Sequence, residues 1–262
     1  MGPDQPVASV VRIATPLRLE ISRTIRAPRF LFFAVGLPLA VYIAYSLTGI
    51  GSSTGAAPDG LSWRVWLMVS MAAFGAMSAT TLIAAGPSSI HAHGQRTGAR
   101  GNARAGAAAS ASAKARLVTA MVLALPPLVL LGVAGAVAGV RLPPAEWVAL
   151  IVLLWLGAVP FAVLGLLLGP VLDADAADVV LPGILVVLAV LGGLFQPVET
   201  FPSTLAAIAR VVPSYHLADL GWTAIAGRTV DPVDVLVLAG YALLIGALVL
   251  WRTWSEDRQV GV

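Results

Sequence analysis

The sequence predicts an all-α integral membrane protein with about six transmembrane helices, an N-terminal interfacial helix and an outer re-entrant hairpin between spans five and six. Hydrophobic residues make up 58% of the 262 residues, charged residues make up only 11%, and the mean hydropathy is +0.90. The apolar residues fall in long blocks that are almost free of charge, whereas a soluble domain spreads them over short strands and half-apolar helices. A single membrane-spanning domain, residues 1–262, therefore accounts for the chain.

Six stretches without Asp, Glu, Lys or Arg define the spans. A helix needs about 20 residues to cross about 30 Å of hydrocarbon, because every backbone amide must be satisfied within the segment. The predicted spans are approximately residues 30–48, 66–86, 117–139, 147–169, 179–196 and 235–251. They leave a cytoplasmic loop at residues 87–116 and an outer hairpin at residues 197–234.

The basic residues orient these spans, since Lys and Arg near span ends are retained in the cytoplasm. Of the 16 basic residues, only Arg64, Arg141, Arg210 and Arg228 fall on one side of the predicted topology. The others lie in the two terminal segments and in the loop after span two. The sequence therefore predicts a multi-pass protein of the cell membrane with both termini in the cytoplasm.

Residues 8–29 mix apolar positions with basic ones ahead of the first span. This pattern favours a short interfacial helix on the anionic inner leaflet, with Glu20, Arg23 and Arg26 among its polar residues. A basic flank that only enforces the topology is the alternative. Both interpretations place the segment inside the cell.

The segment from Gln196 to Asp234 is too long for a tight turn and too apolar for a free loop. Its prolines divide it into two short helices, about 203–212 and 215–226, with Ser203 and Ser214 as expected N-caps. We interpret it as an outer gate or re-entrant hairpin; an amphipathic loop resting at the outer interface is the alternative. The candidate residues of the substrate path or gate are Phe195, Gln196, Glu199, Pro202, Pro213 and Tyr215.

Several other polar groups were considered as sites. Glu199 is the preferred functional carboxylate, whereas His216 and Asp219 are each expected to be solvated loop groups. The aspartates at 173, 175 and 178 are expected to cap a helix and to oppose its dipole, so we predict neither a metal site nor a catalytic residue. The chain has no cysteine, which excludes thiol chemistry.

Two runs of sequence resemble the type-2 family of ATP-binding-cassette exporter permeases. The first is WLGAVPFAVLGLLLGPVLDADAADVV, from Trp155, and the second is GGLFQPVETFPSTLAAIARVVPSYHL, from Gly192. Glu20, Arg26, Pro28 and the PLAVY that begins at Pro38 also fit the family. The resemblance implies six spans per subunit, a transporter of two permease subunits, outer re-entrant helices, and two cytoplasmic ATPase subunits that use ATP and Mg.

The chain itself lacks a phosphate-binding loop, since it contains no G-x-x-x-x-G-K-[ST]. Nucleotide is therefore expected to be handled by a partner, which would dock on the loop after span two. The candidate coupling residues there are Arg96, Arg100, Arg104, Lys114 and Arg116. This loop lacks the family's E-R-x-x-G helix and is rich in Gly, Ala and Ser, so we expect it to be mobile. A transport-impaired permease with a degenerate coupling loop is one alternative.

Two further alternatives belong to other classes. A six-span intramembrane serine protease would need a nucleophile with its base, and Ser70, Ser78 and Ser214 lack a G-x-S-x motif. An ATP-independent carrier would need a buried carboxylate or arginine, and the predicted spans contain none. The preferred function is export of a hydrophobic or amphipathic substrate, such as a drug or lipid, with no binding of nucleic acid.

Overall fold

A computed structural model describes residues 31–48, 57–86 and 102–259, and every regular element in these ranges is helical. A π-helical segment, Leu31–Gly36, leads into α1, and 3₁₀ turns lie at Pro58–Gly60 and Val198–Thr200. The α-helices are α1 Leu37–Thr48, α2 Trp63–Ala85, α3 Asn102–Val137, α4 Pro144–Gly157, α5 Val159–Leu168, α6 Ala174–Leu191, α7 Ser203–Ala209, α8 Pro213–Ile225 and α9 Pro232–Gln259. The predicted interfacial helix, with Glu20, Arg23 and Arg26, lies outside the described residues, as do Arg96 and Arg100.

Among the described helices, five stretches are long and apolar enough to cross a membrane. They are Leu31–Thr48, Trp63–Ala85, Ala113–Val137, Pro144–Leu168 and Pro232–Arg252. Each overlaps one of the predicted spans. The fold and composition are those of a helical, multi-pass integral membrane protein.

Helix α6 occupies the place of the predicted fifth span. It is 18 residues long, and Asp175 and Asp178 lie in its first turns. The apolar part after Asp178 is shorter than the roughly 20 residues that a crossing helix needs. A sixth span therefore stays a prediction, because the apolar part of α6 ends at Leu191 and is too short to cross a membrane as a helix.

Helix α2 is the centre of the bundle and is buried almost along its whole length. Two of its buried hydroxyls are satisfied within the helix: Ser70 donates to the Trp66 carbonyl over 2.9 Å and Thr80 donates to the Ala76 carbonyl over 2.9 Å. Thr81 donates across to the Phe161 carbonyl of α5 over 3.1 Å. A helix lined by small and hydroxyl side chains can thus be surrounded by other helices on all sides.

Two arginines mark the two ends of the bundle. Arg64, at the start of α2, donates to the Ala138 carbonyl after α3 over 3.1 Å. Arg116, in α3, donates to the Ala85 carbonyl at the end of α2 over 3.4 Å. Helices α2 and α3 are therefore antiparallel. We name the end that contains Arg64 and the hairpin (residues 197–234) the hairpin end, and the end that contains Arg116 the loop end.

The surface of the bundle is apolar. Large hydrophobic side chains are exposed on α3, α4, α6 and α9, including Val133, Val148, Val187, Leu236, Leu243, Leu244 and Trp251. Continuous apolar surface of this kind is unfavourable in water and favourable against lipid. Helix α9 is the most peripheral of the long helices, since most of its side chains are exposed.

Two features differ from the sequence predictions. The fourth span is broken at Ala158 into α4 and α5, because Pro160 has no N–H to donate to the preceding turn. Helix α3 begins at Asn102, inside the segment that was predicted as a mobile loop. The segment is rich in alanine, which has the highest helix propensity, and it runs directly into the apolar span.

Candidate functional site

The hairpin starts where α6 ends on two glycines. Gly193 has a φ of +75° and terminates the helix in the left-handed region. A Cβ on Gly192 would collide with the Ser214 hydroxyl and lie 2.8 Å from the Tyr215 nitrogen. Only a glycine therefore lets the start of α8 pack against the end of α6, where Ser214 donates to the Leu188 carbonyl.

The first turn of the hairpin is held by its own polar groups. Gln196 Nε2 donates to Thr200 Oγ1 over 2.6 Å, and Thr200 Oγ1 donates to the Pro197 carbonyl over 2.7 Å. Val198 is buried beneath this turn, whereas Glu199 is exposed at its tip. Glu199 thus lies at the tip of a short turn that is stabilised by hydrogen bonds among its own residues.

Helix α8 is the part of the hairpin that enters the bundle. One of its faces packs against α2, α4 and α9. Trp222 stacks on Trp66 of α2, with ring centroids 5.5 Å apart and an interplanar angle of 13°, and its Nε1 donates to the Trp66 carbonyl over 3.2 Å. Tyr215 contacts the Trp222 ring edge to face at 6.3 Å. These aromatic contacts attach the hairpin to the central helix.

A buried histidine and aspartate join α8 to α9. His216 Nδ1 lies 2.7 Å from Asp234 Oδ1, and His216 Nε2 lies 2.8 Å from the Arg210 carbonyl. His216 is 4% exposed and Asp234 is 3% exposed. The expectation that His216 is a solvated loop group was wrong, because the fold of α8 turns its ring inward onto the start of α9.

A cavity of about 200 Å³ lies between the hairpin and α2. Its walls combine aromatic rings with a charged rim. The lining residues are the aromatics Trp66, Tyr215 and Trp222, the charged Glu199, Asp219 and Arg228, and Pro58, Pro197 and Val198. The chemistry of this lining suits an amphipathic group better than a bare hydrocarbon.

Tyr215 contributes a phenol to this cavity. Burial, together with the negative charges of Asp219, Glu199 and Asp234, raises the pKa of Tyr215 to about 12. The hydroxyl therefore stays protonated at physiological pH and can donate a hydrogen bond to a group in the cavity.

The structure places the predicted gate residues in different roles. Glu199 and Tyr215 line the cavity together. Gln196 supports the turn beside it, whereas the ring of Phe195 packs against Phe74 of α2 at 5.8 Å. Pro202 precedes α7 and is exposed. Pro213 is the first residue of α8.

The two predicted serine N-caps were wrong. Helix α7 starts at Ser203 itself, after Pro202, and helix α8 starts at Pro213, which places Ser214 inside its first turn. Pro213, at the first helical position of α8, is preorganised for a helix start, whereas Pro202 occupies the N-cap position of α7; neither helix has a side-chain cap. By contrast, Asp173 accepts from the Ala176 nitrogen over 3.1 Å, which confirms the predicted capping of α6.

Sequence reasoning missed several residues of this site. The sequence analysis placed Asp234 at the end of the hairpin and found no carboxylate inside the predicted spans. In the structure, Asp234 lies in the first turn of α9, where an acidic residue opposes the helix dipole. Trp66 and Trp222 were not among the candidate residues, and Arg228 entered only through the charge count that orients the spans. Their contacts join residues that are far apart in the sequence.

The candidate coupling residues lie at the loop end as far as they are described. Lys114 is exposed on α3, and Arg116 is half-buried against the end of α2. Arg104 falls within α3, but its side chain is not described. Arg116 therefore has a local role as well, since a cation beside the last carbonyls of a helix is stabilising.

The three serines considered for a protease do not meet a histidine base in the described residues. Ser70 donates within α2, and Ser214 donates to the Leu188 carbonyl of α6. Both ring nitrogens of His216 are already engaged, with Asp234 and with the Arg210 carbonyl. A nucleophile–base hydrogen bond is the signature of that chemistry, and this geometry does not provide it.

The fold and the hairpin site define an α-helical, multi-pass membrane protein with a polar cavity at one end of its bundle. Over 225 residues the chain is 24% identical to a protein of Bacillus subtilis (strain 168) named "Putative transport permease YvfS". The match covers 86% of this chain and 90% of that protein. No protein-family model and no solved structure matches the chain.

Proposed function

We propose that this chain is the transmembrane permease subunit of an ATP-driven exporter of the type-2 ATP-binding-cassette class. It moves a hydrophobic or amphipathic substrate, such as a drug or lipid, out of the cell. A second permease subunit and cytoplasmic ATPase subunits complete the transporter, and the ATPase subunits use ATP and Mg. This chain contributes the path and performs no covalent chemistry.

The observation that carries the proposal is the likeness to a protein named as a transport permease along most of both chains. The five long apolar helices supply the membrane-spanning scaffold that such a role needs. The sequence has no phosphate-binding loop, so an ATP-driven mechanism requires a separate ATPase subunit. The resemblance of the runs at Trp155 and Gly192 supports the particular class.

The cavity supports a gating role for the hairpin. Glu199, Tyr215 and Asp219 present polar groups beside the Trp66 and Trp222 rings, so a substrate with an apolar body and a polar end could contact both. Helix α8 fills the hairpin end of the bundle, between α2, α4 and α9. Transport through this end requires α8 or the Val198–Thr200 turn to move.

The central experiment reconstitutes the chain with an ATPase encoded by a neighbouring gene. We expect the two to copurify, and liposomes that contain both to hydrolyse ATP and to move a fluorescent hydrophobic cation or a fluorescently labelled phospholipid. The chain without its ATPase should move neither. Movement of these probes by the chain alone, driven by an ion gradient, would support the ATP-independent carrier instead.

Replacing the cavity carboxylate should impair transport without unfolding the protein. Glu199→Gln removes a charge that can hold a polar group of the substrate, and loss of one charge-assisted hydrogen bond of about 1.5 kcal/mol lowers transport roughly tenfold. Because Glu199 is exposed, the midpoint of thermal unfolding should stay unchanged. The matched control is Glu146→Gln, which makes the same change at the hairpin end but away from the cavity. Equal transport rates in the two variants would contradict the assignment of Glu199.

The orientation is tested by single cysteines, since the natural sequence contains none. Thr204→Cys lies on the exposed face of α7 and Ala115→Cys lies at the loop end of α3; both side chains are exposed. We expect a membrane-impermeant maleimide added to intact cells to modify the cysteine at 204 and to modify the cysteine at 115 only after lysis. The reverse pattern would place the loop end outside and exclude docking of an ATPase there.

A further inference from the structure

The His216–Asp234 contact is the feature of the hairpin that the proposed transport function leaves unused. It joins α8 to α9, and Tyr241 Oη of α9 also donates to the carbonyl of Val211, which lies just before α8, over 3.1 Å. Both partners of the contact are buried, at 4% and 3% exposure. A buried ionisable pair at the junction of two elements is costly unless it is fully paired.

The hydrogen-bond partners fix the number of protons that the pair holds. His216 Nε2 faces a backbone carbonyl, which can only accept, so this nitrogen must carry a proton. His216 Nδ1 lies 2.7 Å from Asp234 Oδ1, and that distance requires a second proton between the two atoms. The pair is therefore neutral overall, as imidazolium with carboxylate or as imidazole with carboxylic acid.

Loss of the second proton would break the contact. The lone pair of Nδ1 would then face a carboxylate oxygen across the same short distance, inside a site shielded from water. No hydrogen-bond donor in the described part of the chain reaches Asp234 Oδ2, so the carboxylate depends on His216 for its side-chain hydrogen bond. The deprotonated pair would bury an uncompensated negative charge, which is strongly destabilising.

The surrounding charges favour retention of this proton. Burial lowers the pKa of His216, but the hydrogen bonds to Asp234 and to the Arg210 carbonyl and the negative charges of Asp234 and Asp219 outweigh it and raise the pKa above its ordinary value. Two further titratable or charged groups belong to the hairpin itself, namely Tyr215 and the exposed Arg210. The helices packed against α8 add Arg64 from α2 and Glu146 from α4 at the same end of the bundle.

We propose that His216 and Asp234 form a proton-binding site that locks the hairpin onto α9 and releases it when the proton is lost. The ligand is a single proton, bound between Nδ1 and Oδ1. The site lies at the end of α9 rather than in the middle of a span, so it controls docking of the hairpin and does not relay protons across the membrane. The proposal rests on the hairpin contacts and is independent of the energy source for transport.

The sign of the pH effect follows from the raised pKa. A histidine with a higher pKa in the folded state contributes stability that is fully present below the unfolded pKa of about 6.5 and is lost as pH rises through the folded value. The hairpin should therefore be locked at mildly acidic pH and released at alkaline pH. If folding lowered the pKa of His216 instead, the hairpin would be released at acidic pH and locked at alkaline pH.

The proton itself can be observed by NMR. The chain has three histidines, so replacing His91 and His93 by glutamine leaves His216 as the sole signal from labelled histidine in nanodiscs. We expect one titration with a midpoint above about 6.5, and a midpoint shifted towards about 6.5 or below in Asp234→Asn. A wild-type midpoint below that value would overturn the proposal without any need for a folded variant.

Release of the hairpin is measured as a distance. Cysteines introduced at Thr204 in α7 and Leu236 in α9, both exposed, carry spin labels. Below the NMR midpoint we expect a single distance between the two spin labels, and above the midpoint we expect a second population with a longer distance. The double variant His216→Gln with Asp234→Asn keeps a hydrogen-bonding pair that cannot titrate, and should show the same distances on both sides. The control Tyr241→Phe removes the hydrogen bond to the Val211 carbonyl and should keep the pH dependence of the distance. A distance distribution in the wild type that does not change across the midpoint would overturn the lock.

Discussion

A valine in place of Gly165 is expected to destabilise the α2–α5 contact strongly. A Cβ at this position would collide with the Thr81 carbonyl oxygen and lie 3.0 Å from the Ala85 nitrogen. Both are backbone atoms of the buried central helix, so neither can move without shifting α2. Overpacking of this kind costs about 1–3 kcal/mol, and a rigid backbone neighbour places the cost at the upper end.

The measurement is the free energy of unfolding in a mixed-micelle titration. Gly240→Val is the matched control, because Gly240 lies in the peripheral helix α9 and a Cβ there meets no atom within 4 Å. The control should stay close to wild type. If Gly165→Val were as stable as Gly240→Val, the close approach of α5 to α2 would be wrong. Loss of the Thr81–Phe161 hydrogen bond should accompany the destabilisation, since it crosses the same contact.

Truncation of Trp222 is expected to detach the hairpin from the central helix. Trp222→Ala removes a side chain that is 5% exposed, its stack on Trp66 at 5.5 Å and its hydrogen bond to the Trp66 carbonyl. Substitutions of a buried tryptophan by alanine cost about 3–5 kcal/mol. The free energy of unfolding should fall by about that amount, and limited proteolysis should cut first within residues 197–234.

Two companion variants separate the contributions to this effect. Trp251→Ala removes the same side chain where it is 69% exposed on α9, and it should have little effect on unfolding. Trp222→Phe keeps the ring contact but loses the N–H donor, so it should cost about 1 kcal/mol. Equal destabilisation by Trp222→Ala and Trp251→Ala would show that the hairpin does not depend on the Trp66–Trp222 stack.

The helical elements were well predicted wherever a local pattern specifies them. Uninterrupted apolar stretches of the sequence overlap the five helical stretches that are long and apolar enough to cross a membrane, because hydropathy is a property of consecutive residues. The prolines at 197, 202 and 213 correctly divided the hairpin into short pieces. The start of α3 was missed because low complexity was given more weight than the helix propensity of alanine.

The candidate site was predicted only in part. Glu199 and Tyr215 were selected and do line one cavity, whereas Phe195 packs away from it. His216 was selected and then given a solvated role, because nothing in the sequence shows that Asp234, in the next helix, packs against its ring. Gly165 was one of many glycines in the spans, and its contact with α2 cannot be read from spacing alone.

By itself, the sequence determined that this chain is a helical membrane protein and where its long apolar helices lie. In lipid, each segment must be apolar and must satisfy its own backbone hydrogen bonds, so this requirement can be read from each segment separately. The sequence also contains no G-x-x-x-x-G-K-[ST] phosphate-binding loop. Only the tertiary structure decided which glycine admits a neighbouring backbone, which tryptophans stack and which histidine meets a carboxylate. Those contacts depend on how separate helices approach one another, and side chains distant in sequence become neighbours only when the bundle packs.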